Sequence, residues 1–427
     1  MKKFVTLFVL FCLSAVAAVA QSLRLEATVV DANTGRPLQL ASVRVNGRGS
    51  TVSNAVGTFA LSCEPTDVLH VTYVGYRSRD VVASQVGSVV SLEPAEQPLG
   101  EIVVLPIANT IRLITKEMLR QEQKFKKNQA TFFYRQTAFQ ETVAQNPVNE
   151  ELAVLAPTAE SAEGGTICYE FVESFLKGCS AVALRDLRLL TGRYAGLRPD
   201  EHHQYYFYSN FFTFSQIEIA TKQKYRRMTS WPDEVVPLSA DYHLFYDVIY
   251  KVLDDGERRL YVITFVPYDE VRIPIYEVTM FVDAETLHVL KFQGLGRNIH
   301  VLQNAQKQKG NFNLTRRVRE NVVPTDFKFV VNMTEERGFV EVETVFVETI
   351  HEYQGKRTTT HSVLYNVGER KVKRGGKLDY YADIHSQIER QGYDPAFWTE
   401  NEVVRRTPVE QRVQELFEGK QLFGVFK

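Results

Sequence analysis

Between residues 23 and 92 the chain places a turn signal about every eight to twelve residues, and that spacing limits the fold more than any other feature. Asp31, Thr34, Gly35 and Pro37 mark the first corner, Asn46 and Gly47 the second, Ser53, Asn54 and Gly57 the third, and Gly75 with Tyr76 the last. Glycine and asparagine supply the backbone conformations that corners need and that other side chains disfavour. Between corners the apolar residues alternate: Leu25, Ala27 and Val29 in one phase, then Val43 and Val45, then Phe59 and Leu61. With 68–73, 77–82 and 86–92 the strands number about seven, as a two-sheet sandwich requires.

These residues resemble the carboxypeptidase-regulatory-like, transthyretin-like domain found at the start of exported proteins of Bacteroidetes-type bacteria. Asp31, Thr34, Gly35, Pro37 and Leu38 match its start, and Ala41, Ser42, Val43 and Gly47 match its second strand. Thr51, Ser53, Asn54, Gly57 and Phe59 match its hairpin, and Tyr73, Gly75 and Tyr76 its end. The resemblance covers about 75 residues of the chain and implies an envelope protein. The segment from Leu99 to Leu105 is similar to the acidic-valine strand that follows this domain in outer-membrane receptors. About 320 residues follow that segment, too few for both a plug and a receptor barrel.

Lys2 and Lys3 precede the apolar run from Phe4 to Leu13, and Ala18, Val19 and Ala20 offer small residues for signal-peptidase cleavage before Gln21. The apolar run is short for a membrane helix, so the expectation is an exported protein, periplasmic or outer-membrane associated. Phe11 stands where a lipoprotein would carry a small residue before Cys12. Without residues 1–20 the chain has 48 Lys and Arg against 51 Asp and Glu, a formal charge of −3. So even a balance argues against a nucleic-acid partner and for at most peripheral membrane contact. Of the remaining cysteines, Cys63, Cys168 and Cys179, the pair Cys168 and Cys179 offers a short-loop disulfide, with three buried thiols as the alternative.

The rest of the chain predicts a larger antiparallel β domain. Helical spacing of Ile111, Ile114, Met118 and Phe125 marks a helix over 110–128, and 131–142 alternates as a strand. The stretch 145–165 reads as a surface loop, and 181–190 as either a short helix or a strand. Strands follow at 242–253, 258–267, 275–283, 287–294, 311–319, 326–335, 339–353 and 357–367, with Gly294 and Gly296 read as a turn signal. Val340, Val342, Thr344 and Phe346 set against Glu341, Glu343 and Glu348 predict a sheet with one covered and one wet face. The segments 259–265, 276–283 and 286–290 resemble the curved half-barrel sheet of periplasmic lipoprotein carriers. Thr407 and Pro408 open an amphipathic helix carrying Val413, Leu416 and Phe417.

Reactive chemistry is sparse in the sequence. Ser174 and Lys177 fit an S-x-x-K pattern, but its Lys-Thr-Gly companion is missing. His202 and His203 are adjacent and point apart on an extended segment, leaving Asp379, Asp383 and His385 without a partner set. Glu285 and His288 sit at a turn, and the nine histidines form neither H-x-x-E nor H-E-x-x-H. No catalytic residue, metal ligand or cofactor motif is assigned. The aromatic cluster Tyr205, Tyr206, Phe207, Phe211, Phe212 and Phe214 is the candidate ligand surface, with core filling as its alternative.

The sequence therefore predicts a mainly β protein. A signal peptide occupies 1–20, a seven-stranded transthyretin-like sandwich 21–95, a strand and helical connector 96–145, a curved antiparallel sheet domain 146–375, and a helical segment 376–427. The expected role is a non-catalytic envelope module at the periplasmic face of the outer membrane, recognising a protein or an apolar, lipid-like ligand. The alternatives are a structural adaptor to an outer-membrane receptor and a hydrolase whose site is not visible in sequence.

Overall fold

The computed structural model describes residues 23–45, 49–97, 106–123, 129–141, 166–180, 184–196, 237–238, 242–273, 275–298, 300–302, 322–336, 338–353, 356–368, 376–377, 384–390, 394–400 and 403–423. The protein is mainly β and divides into two compact units, Met1–Pro94 and Ala95–Lys427.

The first unit contains β1 (Leu23–Asp31), β2 (Ser42–Val45), β3 (Gly49–Val52), β4 (Thr58–Cys63), β5 (Val68–Thr72), β6 (Arg79–Val82) and β7 (Val89–Leu92). They form a three-stranded sheet ordered β4-β1-β7 and a four-stranded sheet ordered β3-β2-β5-β6. The β1–β7 pair is parallel, and the other pairs are antiparallel. Val29, Val43, Phe59, Leu69 and Val71, one phase of each alternating strand, meet in the core between the sheets.

Corner chemistry explains the turn string. The Asp31 carboxylate accepts from the backbone N–H groups of Asn33 and Thr34 at 2.8 Å, and from the Tyr76 hydroxyl at 2.8 Å. That hydroxyl, aided by the Thr34 amide, holds the Asp31 pKa below its ordinary value. Asn54 accepts from the amides of Val56 and Thr58, and the Ser53 hydroxyl accepts from the Ala41 amide while donating to the Leu38 carbonyl. The motif residues hold backbone in place and make no reactive constellation.

The second unit begins with α1 (Ile107–Glu122), followed by β8 (Gln129–Glu141), β9 (Thr166–Ser180), β10 (Leu184–Gly196), β11 (Tyr246–Asp254), β12 (Arg259–Pro267), β13 (Ile275–Asp283) and β14 (Val289–Arg297). Then come β15 (His300–Leu302), β16 (Val322–Glu336), β17 (Phe339–Tyr353), β18 (Lys356–Asn366), β19 (Gly376–Lys377), α2 (Ile384–Glu389), α3 (Pro395–Glu400) and α4 (Pro408–Gly419). One antiparallel sheet runs β11-β12-β13-β14-β16-β17-β18-β8-β9-β10-β19, with β15 paired to β16. The early strand β8 thus sits between β18 and β9, which stitches the two ends of the sequence into the middle of one sheet.

Directly opposed residues in a ladder share a face. The first face carries Tyr134, Val172, Leu364, Val345, Val347, Phe329 and Val278 in a continuous apolar core, and Ile111, Ile114 and Met118 of α1 belong to the same core. The second face carries Arg135, Glu173 and Arg193. At the β8–β10 end it meets Phe397, Trp398, Val413, Phe417 and Phe423 of the C-terminal helices and the turn after them. The α4 helix opens on a capping box in which Thr407 and Glu410 exchange side-chain and backbone bonds, with Pro408 at its first position.

Of the stretch 181–190, left open between helix and strand, residues 184–190 lie in β10. Two expectations need correction. Gly294 and Gly296 lie inside β14 and mark no turn. A Cβ on Gly294 would stand 1.8 Å from the Glu277 carbonyl oxygen, so the glycine permits close approach of β13. In β17 the expected alternation is displaced, because a bulge opposite Asn332 and Met333 shifts it, and of the face expected to be wet Glu348 stays part-exposed beside Lys328 and His361. Val340, Val342, Val345 and Val347 enter the first-face core, whereas Thr344 and Phe346 fall on the second face and are also buried. The expected strand at 311–319 and the Asn46–Gly47 corner lie outside the described residues.

The two kinds of glycine make distinguishable demands. Gly294→Ala has to push backbone against backbone and is expected to cost about 3 kcal/mol or more. Gly35→Ala meets no atom within 4 Å and is strained only by its φ of +68°, so it should cost about 1 kcal/mol. Denaturant titration of both variants checks the difference; equal losses would show that space at Gly294 is not limiting.

Candidate functional site

Three clusters in the second unit deserve weighing as chemistry. The first is ionic and buried. Glu173, centred on β9, has no solvent exposure and receives the guanidinium of Arg135 from β8 at 2.7 Å and that of Arg193 from β10 at 2.7 Å. Arg406, just before α4, reaches both its oxygens at 3.1 and 3.2 Å. Glu410 and Glu418 of α4 lie 3.6 Å from Arg135 and 3.0 Å from Arg193, so three arginines face three carboxylates. The Arg193 guanidinium also lies over the rings of Trp398 at 4.9 Å and Phe423 at 4.6 Å. Burial pulls the Glu173 pKa upward, but Arg406, Arg135 and Arg193 together hold it far below the ordinary carboxylate value. Fully engaged in this way, Glu173 is a structural anion and cannot serve as a general base at neutral pH.

The second cluster ties α1 to the sheet. His288 bonds Glu335 of β16 through Nδ1 and Glu117 of α1 through Nε2, the latter at 3.1 Å. Gln121 donates to Glu117 at 2.7 Å and lies 3.0 Å from His288 Nε2. Arg120 forks onto Glu117 at 2.6 Å, and Arg258 contacts Glu335 at 3.2 Å and Asp283 at 3.9 Å. Glu335, followed by the charge of Glu117, raises the His288 pKa above its usual value despite partial burial. With both ring nitrogens committed to carboxylates, the imidazole has no free lone pair for catalysis or for a metal. Among the described residues no group of three or more His, Cys, Asp or Glu is arranged to hold a metal ion.

The third cluster lies on the first face and is neutral. Gln136 of β8 opposes Ser362 of β18; Thr360, two residues along, opposes Thr349 of β17. Ser174 of β9 opposes Tyr134, whose hydroxyl donates to Gln136 Oε1 at 2.7 Å. All five of Gln136, Ser174, Thr349, Thr360 and Ser362 are buried, at 4% exposure or less. Gln136 Nε2 and the four hydroxyl oxygens have no hydrogen-bond partner among the described residues. Their neighbours on the face are Val172, Ala138, Leu364, Val347, Phe329 and Phe327. Buried polar groups are almost always partnered, so five orphans on four adjacent strands single out this patch.

The sequence-derived candidates fare unevenly. Tyr205, Tyr206, Phe207, Phe211, Phe212 and Phe214 lie outside the described residues, as do His202, His203, Asp379 and Asp383. Cys168 and Cys179 both lie on β9, eleven residues apart along one extended strand. That separation is on the order of 35 Å, whereas a disulfide needs Cα atoms within about 7 Å. The disulfide is therefore excluded; Cys179 is a free, buried thiol, as is Cys63. Ser174 and Lys177 are three apart on the same strand and face opposite sides, which dismantles the S-x-x-K reading. Ser174 nevertheless belongs to the neutral patch. Gln136, Thr349, Thr360 and Ser362 went unnoticed in the sequence, although a strand reading Thr359, Thr360, His361, Ser362 is polar in both phases and so unusual for a central position.

Comparisons with known proteins add little. No family model and no curated protein matches the chain. A DUF1329 family protein of known structure from Desulfovibrio piger is similar at 12% identity over 61% of this chain and 95% of that one, with a TM-score of 0.17. Likeness at that level supports no inference about fold or activity. None of the described helices is long and apolar enough to cross a membrane.

Two measurements test the ionic clusters. Glu173→Gln leaves three buried guanidiniums facing a neutral amide and is expected to cost about 3–5 kcal/mol in a denaturant titration; a loss under about 1 kcal/mol would mean the carboxylate is not what holds the arginines. For His288 the folded pKa lies above the unfolded value near 6.5. Its contribution is therefore complete below that value and fades as the pH rises through the raised one. The stability of wild type relative to His288→Gln should fall across that window, and parallel pH profiles for the two proteins would show that the contact carries no charge.

Proposed function

We propose that this protein is a non-catalytic binding module of the cell envelope, holding an apolar ligand against the first face of its large sheet. One observation carries the reading: five of the buried polar groups without a partner among the described residues, a neutral amide nitrogen and four hydroxyls, are gathered in an apolar wall on one face of β17, β18, β8 and β9. A hydrolytic site needs a nucleophile beside a base and an oxyanion donor. Here the ionisable clusters pair internally, His288 between two carboxylates and Glu173 among three arginines, and among the described residues no base stands beside Ser174. Binding is the use that such neutral, enclosed groups support.

Export and residence at the periplasmic face of the outer membrane form part of the same reading, supported by the basic, apolar and small-residue pattern of residues 1–20 and by the motif residues of the first unit. Native mass spectrometry of protein purified from its envelope fraction without detergent exchange tests the binding role. The expected result is a lipid-sized adduct on the mature chain. A bare chain, with turnover of ester or glycoside substrates in the same preparation, would overturn it.

A further inference from the structure

The neutral patch also specifies what the ligand can be, an inference that rests on the binding role above. We infer that it takes an uncharged, largely apolar molecule whose polar end presents hydrogen-bond acceptors, such as an ester or hydroxyl-bearing glyceride, to Gln136, Thr349, Thr360 and Ser362. The Gln136 amide is oriented by Tyr134, whose hydroxyl occupies its oxygen, so the amide nitrogen remains as a donor into the patch. Ser362 stands directly across from Gln136, and Thr360 directly across from Thr349. The four groups therefore form two adjacent pairs across three strands, two strand spacings wide and two residues long, the footprint of a small head group. Their hydroxyls donate or accept, whereas the amide can only donate, which favours a carbonyl or ether oxygen on the ligand.

Charge excludes the alternatives. Among the described side chains, those directly across from the four, apart from one another, are Val172, Ala138, Val347 and Phe327, with Leu364 and Phe329 beyond. The arginines of the same strands point to the opposite face, where Glu173, Glu410 and Glu418 engage them. A carboxylate or phosphate placed here would be buried without a counter-ion among the described residues, which is strongly unfavourable. Neutral acceptors carry no such penalty. The apolar side chains around the patch then accommodate the hydrocarbon.

Calorimetric titration of the delipidated mature protein with 1-decanoylglycerol, decanoate and decane, at about pH 8 where a free carboxylate is ionised, tests the assignment. The glyceride should bind most tightly. The variant T349V/T360V, which removes two hydroxyls and leaves the Tyr134–Gln136 bond alone, should weaken glyceride binding about tenfold while decane is unaffected. Because those hydroxyls have no partner, the same variant should melt no lower than wild type. Gln136→Leu serves as a second variant, with the same selective loss expected. If decanoate or decane binds as tightly as the glyceride and the variants change nothing, the ligand class is wrong while the binding role stands. If none of the three binds, the binding role fails with it. A marked loss of melting temperature in T349V/T360V would mean the hydroxyls are satisfied within the protein, which also overturns the assignment.

Discussion

A carboxylate with no solvent exposure in the middle of a sheet is tenable only if cations reach it, and the arrangement around Glu173 organises much of the second unit. Arg135 and Arg193 come from the flanking strands, but Arg406 arrives from 233 residues further along the chain. The segment bearing Arg406 continues into α4, whose Glu410 and Glu418 compensate the excess positive charge. Guanidinium geometry suits this role, since Arg193 directs its N–H groups to carboxylates in plane while Trp398 and Phe423 stack on its faces. An isolated Lys at that position would offer no flat surfaces to stack. The C-terminal helix is thus fastened by charge as well as by Val413 and Phe417, and removing either contribution exposes the other.

The same strands separate two chemistries by a single residue step. Arg135 and Gln136 are consecutive on β8, as are Glu173 and Ser174 on β9, yet alternation sends the charged member of each pair to one face and the neutral member to the other. The arginine–glutamate cluster is therefore gathered under the C-terminal helices, and the amide and hydroxyls of the patch lie on the opposite face. The two are mechanically joined all the same, because Gln136 and Ser174 take their positions from the backbone that the Arg135–Glu173 pair clamps. A shift of β8 against β9 in the ionic cluster displaces the neutral patch by a similar amount, since packed interiors transmit small strains.

Much of the first unit was legible because its determinants are local. Asp31 accepts from amides two and three residues on, and Asn54 from amides two and four residues on, so the motif and the corner coincide in sequence. The α4 helix was legible for the same reason, its cap being Thr407 and Glu410 three residues apart. The second unit was readable strand by strand but not face by face. A single extra residue in β17 reversed the apparent partners of Thr344 and Phe346, and alternation alone carries no sign of a bulge. Nothing in the sequence near Gln136 or Ser362 announces that they are paired across more than two hundred residues and enclosed. Cys168 and Cys179 looked like loop neighbours only because β9, polar in places on both faces, had not been recognised as one strand.

The helix α1 brings these points together. Sixteen residues are marginal as an isolated helix, and its N-terminal cap, Pro106, provides no side-chain hydrogen bond. Its order must come from the sheet, through Ile111, Ile114 and Met118 in the first-face core and through Glu117 and Gln121 at its C-terminal half. The polar hold is one-ended. His288 and Glu335 anchor the last turns, and Gln121 accepts the Val340 amide at 3.4 Å, whereas the first turn contributes apolar contact alone. A helix fastened in that way has its weakest seat at its beginning, the end that has neither a cap nor an ionic partner among the described residues. Because α1 shares one continuous core with Tyr134, Leu364 and Val347, any loosening of that end relaxes the same apolar wall in which the unsatisfied hydroxyls and amide are set.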